Sequence, residues 1–287
     1  MDRRMVVAGL GYSGTAIAAE AREAGFAVSG TARDPSRARP PEGVVVLSFD
    51  EAGDAIRDAT HLVVTAAPGE QGDPVLATYG EAIAAAPALR WIGYLSTTGV
   101  YGDRGGAMVD ESTLPAPIQD RSFRRLEAEE AWRKVAGARR AALDLLRVGG
   151  IYGPGRSAIE EVRSGTARRV MKPGHAFSRI HRDDIALAVV AAAQRPPGRV
   201  RVLHLVDDEP APSADVVAEA AELLGVAPPE QLPFHVARLR MSPMALSFWA
   251  ENRRVTNDAT KRELGIAWRY PTYREGLRQI LAESVTR

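Results

Sequence analysis

The stretch Met5-Val6-Val7-Ala8-Gly9-Leu10-Gly11-Tyr12-Ser13-Gly14 decides how the rest of the chain is read. Met5–Ala8 is a short apolar run of the kind a buried strand needs, and Gly9, Gly11 and Gly14 follow at G-x-G-x-x-G spacing. The alanine-rich segment Thr15–Ala24 predicts a helix. Strand, glycine turn and helix together are the context in which this spacing has a mechanism. The first glycine permits the tight turn, the second lets the backbone approach a pyrophosphate, and the third lets helix and strand pack closely. The helix start then offers free N–H groups and the positive end of its dipole to an anion. Gly9, Gly11, Tyr12, Ser13 and Gly14 are therefore candidate dinucleotide contacts. The bland reading of the same residues is a turn that packs a helix and holds no ligand.

Outward from this turn, apolar runs alternate with helical segments. Phe26–Thr31, Val44–Phe49, His61–Ala66, Trp91–Ser96 and Ala142–Val148 predict further strands. Asp73–Ala86 and Leu126–Ala136 predict helices between them, with Val75, Leu76, Tyr79 and Ile83 on one face of the first and Ala128, Ala131, Trp132 and Val135 on one face of the second. Arg182–Ala193, Ala214–Leu224 and Arg274–Glu283 predict later helices, Val200–Val206 a later strand, and the proline-rich Pro228–Pro243 an irregular segment. Alternation of this kind implies an α/β fold, a doubly wound (Rossmann) parallel sheet with a smaller C-terminal lobe. Residues 1–152, with 177–206 returning to them, form the expected dinucleotide-binding domain, and 153–176 with 207–287 the expected substrate lobe.

Bulk properties narrow the function. The 287 residues are 45% hydrophobic and 25% charged, which suits one large globular domain or two smaller ones. A net charge of +1 gives no field to draw nucleic acid or an anionic membrane, so a small-molecule partner is expected. The absence of cysteine excludes disulfides, thiol catalysis and thiolate metal sites, and fits a reducing compartment. The apolar run after Arg3 and Arg4 is too short for a signal peptide and no window approaches a membrane span, so a cytoplasmic location is expected. The histidines outside motifs (His61, His175, His204 and His235) lack ligand spacing, and no metal is expected.

Strand ends carry the remaining cofactor candidates, because ligands sit at the carboxyl ends of such strands. The second strand ends Thr31-Ala32-Arg33 with no carboxylate, so Arg33 is placed to meet the 2′-phosphate of NADP; Asp34, followed by Pro35, reads as a helix cap. NADP is the favoured cofactor, with NAD the alternative. Asp50 after the third strand, Ala66, Ala67 and Pro68 after the fourth, and Gly150 after the sixth complete the set.

Four stretches in order resemble the short-chain dehydrogenase/reductase superfamily in its extended, epimerase/dehydratase-like branch. They are Ser96–Gly102 (STTGVYG), Arg147–Gly155 (RVGGIYGPG), Ile180–Ala186 (IHRDDIA), and Leu264-Gly265 with Pro271 and Glu275–Leu277. The Ala66–Pro74 segment is more similar to atypical members. The resemblance implies an oxidoreductase or epimerase acting on a sugar-nucleotide-like or small carbonyl substrate. It also implies a tyrosine acid and a lysine four residues later. Aligned on Leu126–Glu129, however, Arg121 and Arg125 stand at those positions, and no tyrosine lies between Tyr101 and Tyr152. Guanidinium stays protonated and cannot replace the phenolate. The expected site therefore uses Thr97 as the hydrogen-bonding Ser/Thr, Tyr101 (or Tyr152) as a substitute acid, Arg121 toward a substrate anion and Arg125 toward the nicotinamide ribose; the bland readings are packing for the two tyrosines and a surface charge for Arg121. An inactive NAD(P)-binding sensor is the alternative. The resemblance further implies a homodimer through Asp73–Ala86 and Leu126–Ala136, where Ala82, Ala85 and Ala128 would permit close packing.

Overall fold

In the computed structural model, which describes residues 3–286, the alternating runs form a seven-stranded, wholly parallel sheet. Residues 1, 2 and 287, the outermost ends of the expected domains, lie outside the described residues. Its strands are β1 (Arg4–Ala8), β2 (Ala27–Ala32), β3 (Val45–Ser48), β4 (His61–Val64), β5 (Trp91–Thr97), β6 (Ala142–Val148) and β7 (Val200–Leu205). They lie in the order β7-β6-β5-β4-β1-β2-β3. The chain winds outward from β1 through β2 to β3, then starts again at β4 on the other side. The crevice between the ends of β1 and β4 is the topological switch point, where ligands bind in open α/β sheets.

Side-chain alternation along the strands feeds two cores. Met5 and Val7 of β1 join one, with Ile17, Ala18 and Ala21 of α1 (Tyr12–Glu23) and a later helix. Val6 and Ala8 join the other, with Ile56 of α2 (Gly53–Arg57), Val75, Tyr79 and Ile83 of α3 (Pro74–Ala85), and Ala128 and Trp132 of α4 (Asp120–Arg139). Asp73 ties that second layer. Its Oδ1 caps α3 by accepting from the Val75 and Leu76 N–H groups, and its Oδ2 accepts from Trp132 Nε1 at 3.1 Å. Ala82 and Ala128 are buried in this core, so of the three alanines expected at a dimer interface only Ala85 is exposed.

Beyond β6 come α5 (Ala158–Arg163), α6 (Arg182–Gln194), which shares the first core with α1, and α7 (Ser213–Leu223). Four further helices complete the chain: α8 (Phe234–Ala237), α9 (Pro243–Trp249), α10 (Asp258–Leu264) and α11 (Tyr273–Thr286). Tyr152, Ile159, Val216, Tyr273 and Leu277 make a third, smaller core among α5, α7 and α11. The segment expected to be irregular carries a short strand, Gln231–Pro233, paired in parallel with Arg169–Met171, and then α8. Leu232 and Phe234 pack there against buried Trp249 and Val170, which is what a local run of prolines does not reveal. Among the described residues, no helix is long and apolar enough to cross a membrane.

Candidate cofactor and substrate site

The glycine turn is set by contacts a side chain would destroy. Gly9 has φ +117°, and a Cβ there would meet Thr65 Oγ1 at 2.5 Å. That hydroxyl donates to the Ala8 and Gly9 carbonyls at 3.1 and 2.6 Å, which closes the end of β4 onto the end of β1. A Cβ on Gly14 would lie 1.9 Å from the Gly9 carbonyl oxygen, so helix and turn touch. Around Gly11, by contrast, a Cβ would meet nothing within 4 Å. Gly11 is exposed at the start of α1, whose first N–H groups point into the opening. Tight walls at Gly9 and Gly14 and open space at Gly11 fit a pyrophosphate cradle.

Tyr12 leaves this turn to bridge the two halves of the chain. Its hydroxyl donates to the Pro154 carbonyl at 3.1 Å, and the Arg156 and Arg182 guanidiniums lie over its ring at 5.7 and 5.0 Å. Ser13 is buried beneath. Arg33 is exposed just past β2 and Asp34 caps a short turn through Ser36, as its neighbour Pro35 suggested. Asp50 is exposed after β3, and Ala66, Ala67 and Pro68 follow β4 at the crevice.

A cavity of about 340 Å³ opens beyond the ends of β5 and β6. Thr97, Thr98, Gly149 and Gly150 line its sheet side, and Tyr152, Phe177, Arg179, Phe248, Trp249, Glu251 and Arg253 line its far side. Thr97 Oγ1 accepts from the Gly99 N–H at 3.1 Å, which leaves its own proton free to donate. Glu251 is buried, with Oε2 held by Arg253 at 2.6 Å and Oε1 without a partner. A second cavity of about 390 Å³ adjoins, and Ile151, Tyr152, Arg179 and Ser213 belong to both. Burial pushes the Tyr152 hydroxyl well above the usual tyrosine range, so it stays protonated.

Arg121 and Arg125 share α4 but diverge. Arg125 Nη1 donates to the Leu95 carbonyl at 2.6 Å and to the Tyr94 hydroxyl at 3.3 Å, which sets it against the end of β5. Arg121 stacks on Phe248 at 4.0 Å and touches the Met244 sulfur, beside the cavity wall.

Tyr101 corrects the expectation of a substitute acid. It is fully buried, its hydroxyl accepts from Arg147 Nη1 at 2.7 Å, and the same oxygen lies 2.5 Å from His204 Nε2. His204 Nδ1 meets the Thr256 carbonyl at 2.9 Å and so carries the proton, which makes Nε2 the acceptor and Tyr101 the donor. Donor and acceptor are both spent inside the protein. Arg147 in turn pairs with buried Glu129 at 2.7 Å, and Glu129 takes the Ser96 hydroxyl at 2.6 Å. The motif tyrosine is a structural link from the turn after β5 to β7.

His181 caps α6, its Nδ1 accepting from the Asp183 N–H at 3.2 Å, and burial lowers its pKa to about 4. Arg179, Glu251 and Arg253 were missed in the sequence. The one signal was an arginine inside the short apolar run that precedes His181; the other two fall in a segment without periodicity.

No family model matches the chain. It is 31% identical to the 3-diazoavenalumate denitrifying reductase of a Streptomyces species, over 96% of this chain and 99% of that protein. Among solved structures, a functionally unknown conserved protein from Silicibacter pomeroyi superposes with a TM-score of 0.87 at 41% identity, over 98% of this chain and 99% of that one. MoeE5 in complex with UDP-glucuronic acid and NAD (TM-score 0.74, 19% identity) and a human epimerase family protein with NADPH (TM-score 0.72, 18% identity) share the fold. They cover 98% and 97% of this chain, and 99% of each of those chains.

Proposed function

The chain belongs to the short-chain dehydrogenase/reductase superfamily, in its epimerase/dehydratase-like branch, and on that premise we propose that it is an NADPH-dependent reductase of a small organic substrate. The observation that carries this reading is an open cavity at the ends of β5 and β6, on the edge of the sheet where the glycine turn also lies, with Thr97, Arg179, Glu251 and Arg253 among aromatic walls. A protein that only sensed the cofactor would have no use for such a cavity. Gly9–Gly14 would hold the pyrophosphate, Arg33 the 2′-phosphate, Asp50 and Ala66–Pro68 the adenosine half, and Arg125 and Gly150 the nicotinamide half. Bound there, the nicotinamide supplies hydride. Residues 1–152 and 177–206 form the cofactor side of this arrangement, and 153–176 and 207–287 the substrate side.

The chain's own residues then bind and orient. Thr97 donates its free hydroxyl proton to the substrate atom beside the hydride acceptor. Arg121 adds positive charge at the mouth. With Tyr101 consumed and arginines at positions 121 and 125, α4 does not repeat the tyrosine–lysine relay. A carbonyl product would take its proton from water through the open mouth, and an acceptor that is already cationic needs none. The Streptomyces relative's name supports the second case, since it is a reductase that removes nitrogen from a diazo compound.

The test is calorimetric titration with NADPH and NADH, then NADPH consumption across carbonyl, iminium and aryl diazonium compounds. Tighter binding of NADPH and turnover of one class are expected. Binding of neither cofactor would overturn the proposal. Binding without turnover of any class would favour the sensor, which the absent tyrosine also supports.

A further inference from the structure

Arg179 carries a charge that, among the described residues, has carbonyl partners but no ion-paired acid. Its guanidinium lies deep in the molecule, yet it keeps accessible surface where the two cavities meet. Nη1 donates to the Phe177 and Ala211 carbonyls, both at 2.9 Å, and the Phe177 ring lies 5.5 Å from its centre. These contacts fix its position without neutralising it. Arg253, lining the same cavity, differs in having an acid as partner. It pairs with Glu251 at 2.6 Å. Among the described residues no carboxylate lies within ion-pair distance of Arg179. Asp207 is the acid whose field it feels most, and burial pushes that carboxyl well above its usual range, toward the uncharged form.

The surroundings make the vacancy of charge sharper. The Ala211 carbonyl that Arg179 grips lies two residues before the start of α7. Ser213, the first residue of that helix, lines both cavities with Arg179. A cation beside a helix N-terminus faces the positive end of the dipole, an unfavourable pairing unless an anion lies between them. Phe177, Tyr152, Phe248 and Trp249 supply aromatic walls around the same space.

We propose that Arg179, with the N-terminus of α7, binds a carboxylate of the substrate, so that the reductase takes an aromatic or otherwise apolar carboxylic acid whose reacting end faces Thr97. This rests on the reductase reading above, and it names the substrate's class. Arg179 acts as a binding and specificity residue; no bond is made or broken at it.

The experiment is calorimetry on the NADPH-loaded protein with 4-hydroxycinnamate, its methyl ester and UDP-glucose. The acid is expected to bind at least about tenfold more tightly than the ester, the scale of one charge-assisted hydrogen bond. In R179Q that preference disappears, and in R179K part of it returns. NADPH affinity, unchanged in both variants, reports that they fold; were R179Q to misfold, the acid–ester comparison on the unaltered protein still decides. Equal binding of acid and ester, an undiminished preference in R179Q, or binding of neither ligand would overturn the proposal. So would UDP-glucose binding that competes with the acid and is lost in R179Q, which would assign the anion to a diphosphate. Failure to bind NADPH at all would strike the reductase reading instead.

Discussion

The cofactor end and the substrate end of this site are built in opposite ways. Gly9, Gly11 and Gly14 lie within six residues of one another, and their geometry depends on backbone atoms and one hydroxyl, that of Thr65. The substrate cavity draws its walls from β5, the end of β6, the Phe177–Arg179 segment, α7 and the chain from Phe248 to Val255. A local device made of backbone is intolerant of an added atom wherever its parts touch, as at Gly9 and Gly14. A distributed one made of side chains can change one wall without losing the others, which suits a fold that carries many chemistries on one cofactor frame.

Breaking the first half of this contrast should give the largest effect. In G14A the new methyl would sit 1.9 Å from the Gly9 carbonyl oxygen, so a loss of about 4 kcal/mol or failure to fold is expected in chemical denaturation. G11A is its control. With open space around that position, stability should stay within about 0.5 kcal/mol while NADPH affinity falls. Next in size is E129A, which strands the buried Arg147 charge behind Ser96 and Tyr101, at about 3 kcal/mol of stability.

The joint between the halves responds to acid. His181 has a folded pKa of about 4 against 6.5 when unfolded, so the unfolded chain binds the extra proton. Its stabilising contribution is complete above pH 6.5 and is lost as pH falls toward 4, at up to about 1.4 kcal/mol per pH unit. The stability difference between the unaltered protein and H181N should therefore shrink over that window, as read by denaturant midpoints at successive pH values. Asp184 opposes it. Its carboxyl is raised to about 6, so D184N should gain relative stability as pH rises through 4 to 6. R33A should weaken NADPH about tenfold and leave NADH unchanged, which sharpens the cofactor half alone. F248A, at an exposed cavity wall, should shift KM a few-fold with stability within about 0.5 kcal/mol.

The same contrast explains what could be read from the chain. The sheet was legible because alternation and glycine spacing are local, and β6 was expected at the bounds observed, Ala142–Val148. Asp34 and Asp73 were legible as caps or helix starts because capping needs only neighbours. The acid role offered for Tyr101 fails and its packing role stands, a choice that depends on Arg147 and His204, far along the chain. Trp249, Glu251 and Arg253 gave no signal, because an irregular segment acquires meaning only from what it packs against.

The ion pair between Glu20 and Arg269, two parallel hydrogen bonds at 2.8 and 2.7 Å, joins the first helix to a residue near the end of the chain. Arg254–Val255 likewise pairs with Met108–Val109. During synthesis, then, the strands of the sheet through β7 leave the ribosome with α1 still unclasped and the cavity still lacking a wall. The segment from Phe248 to Arg269 closes both. A chain cut short after β7 would have every strand of its sheet and nothing to enclose a substrate.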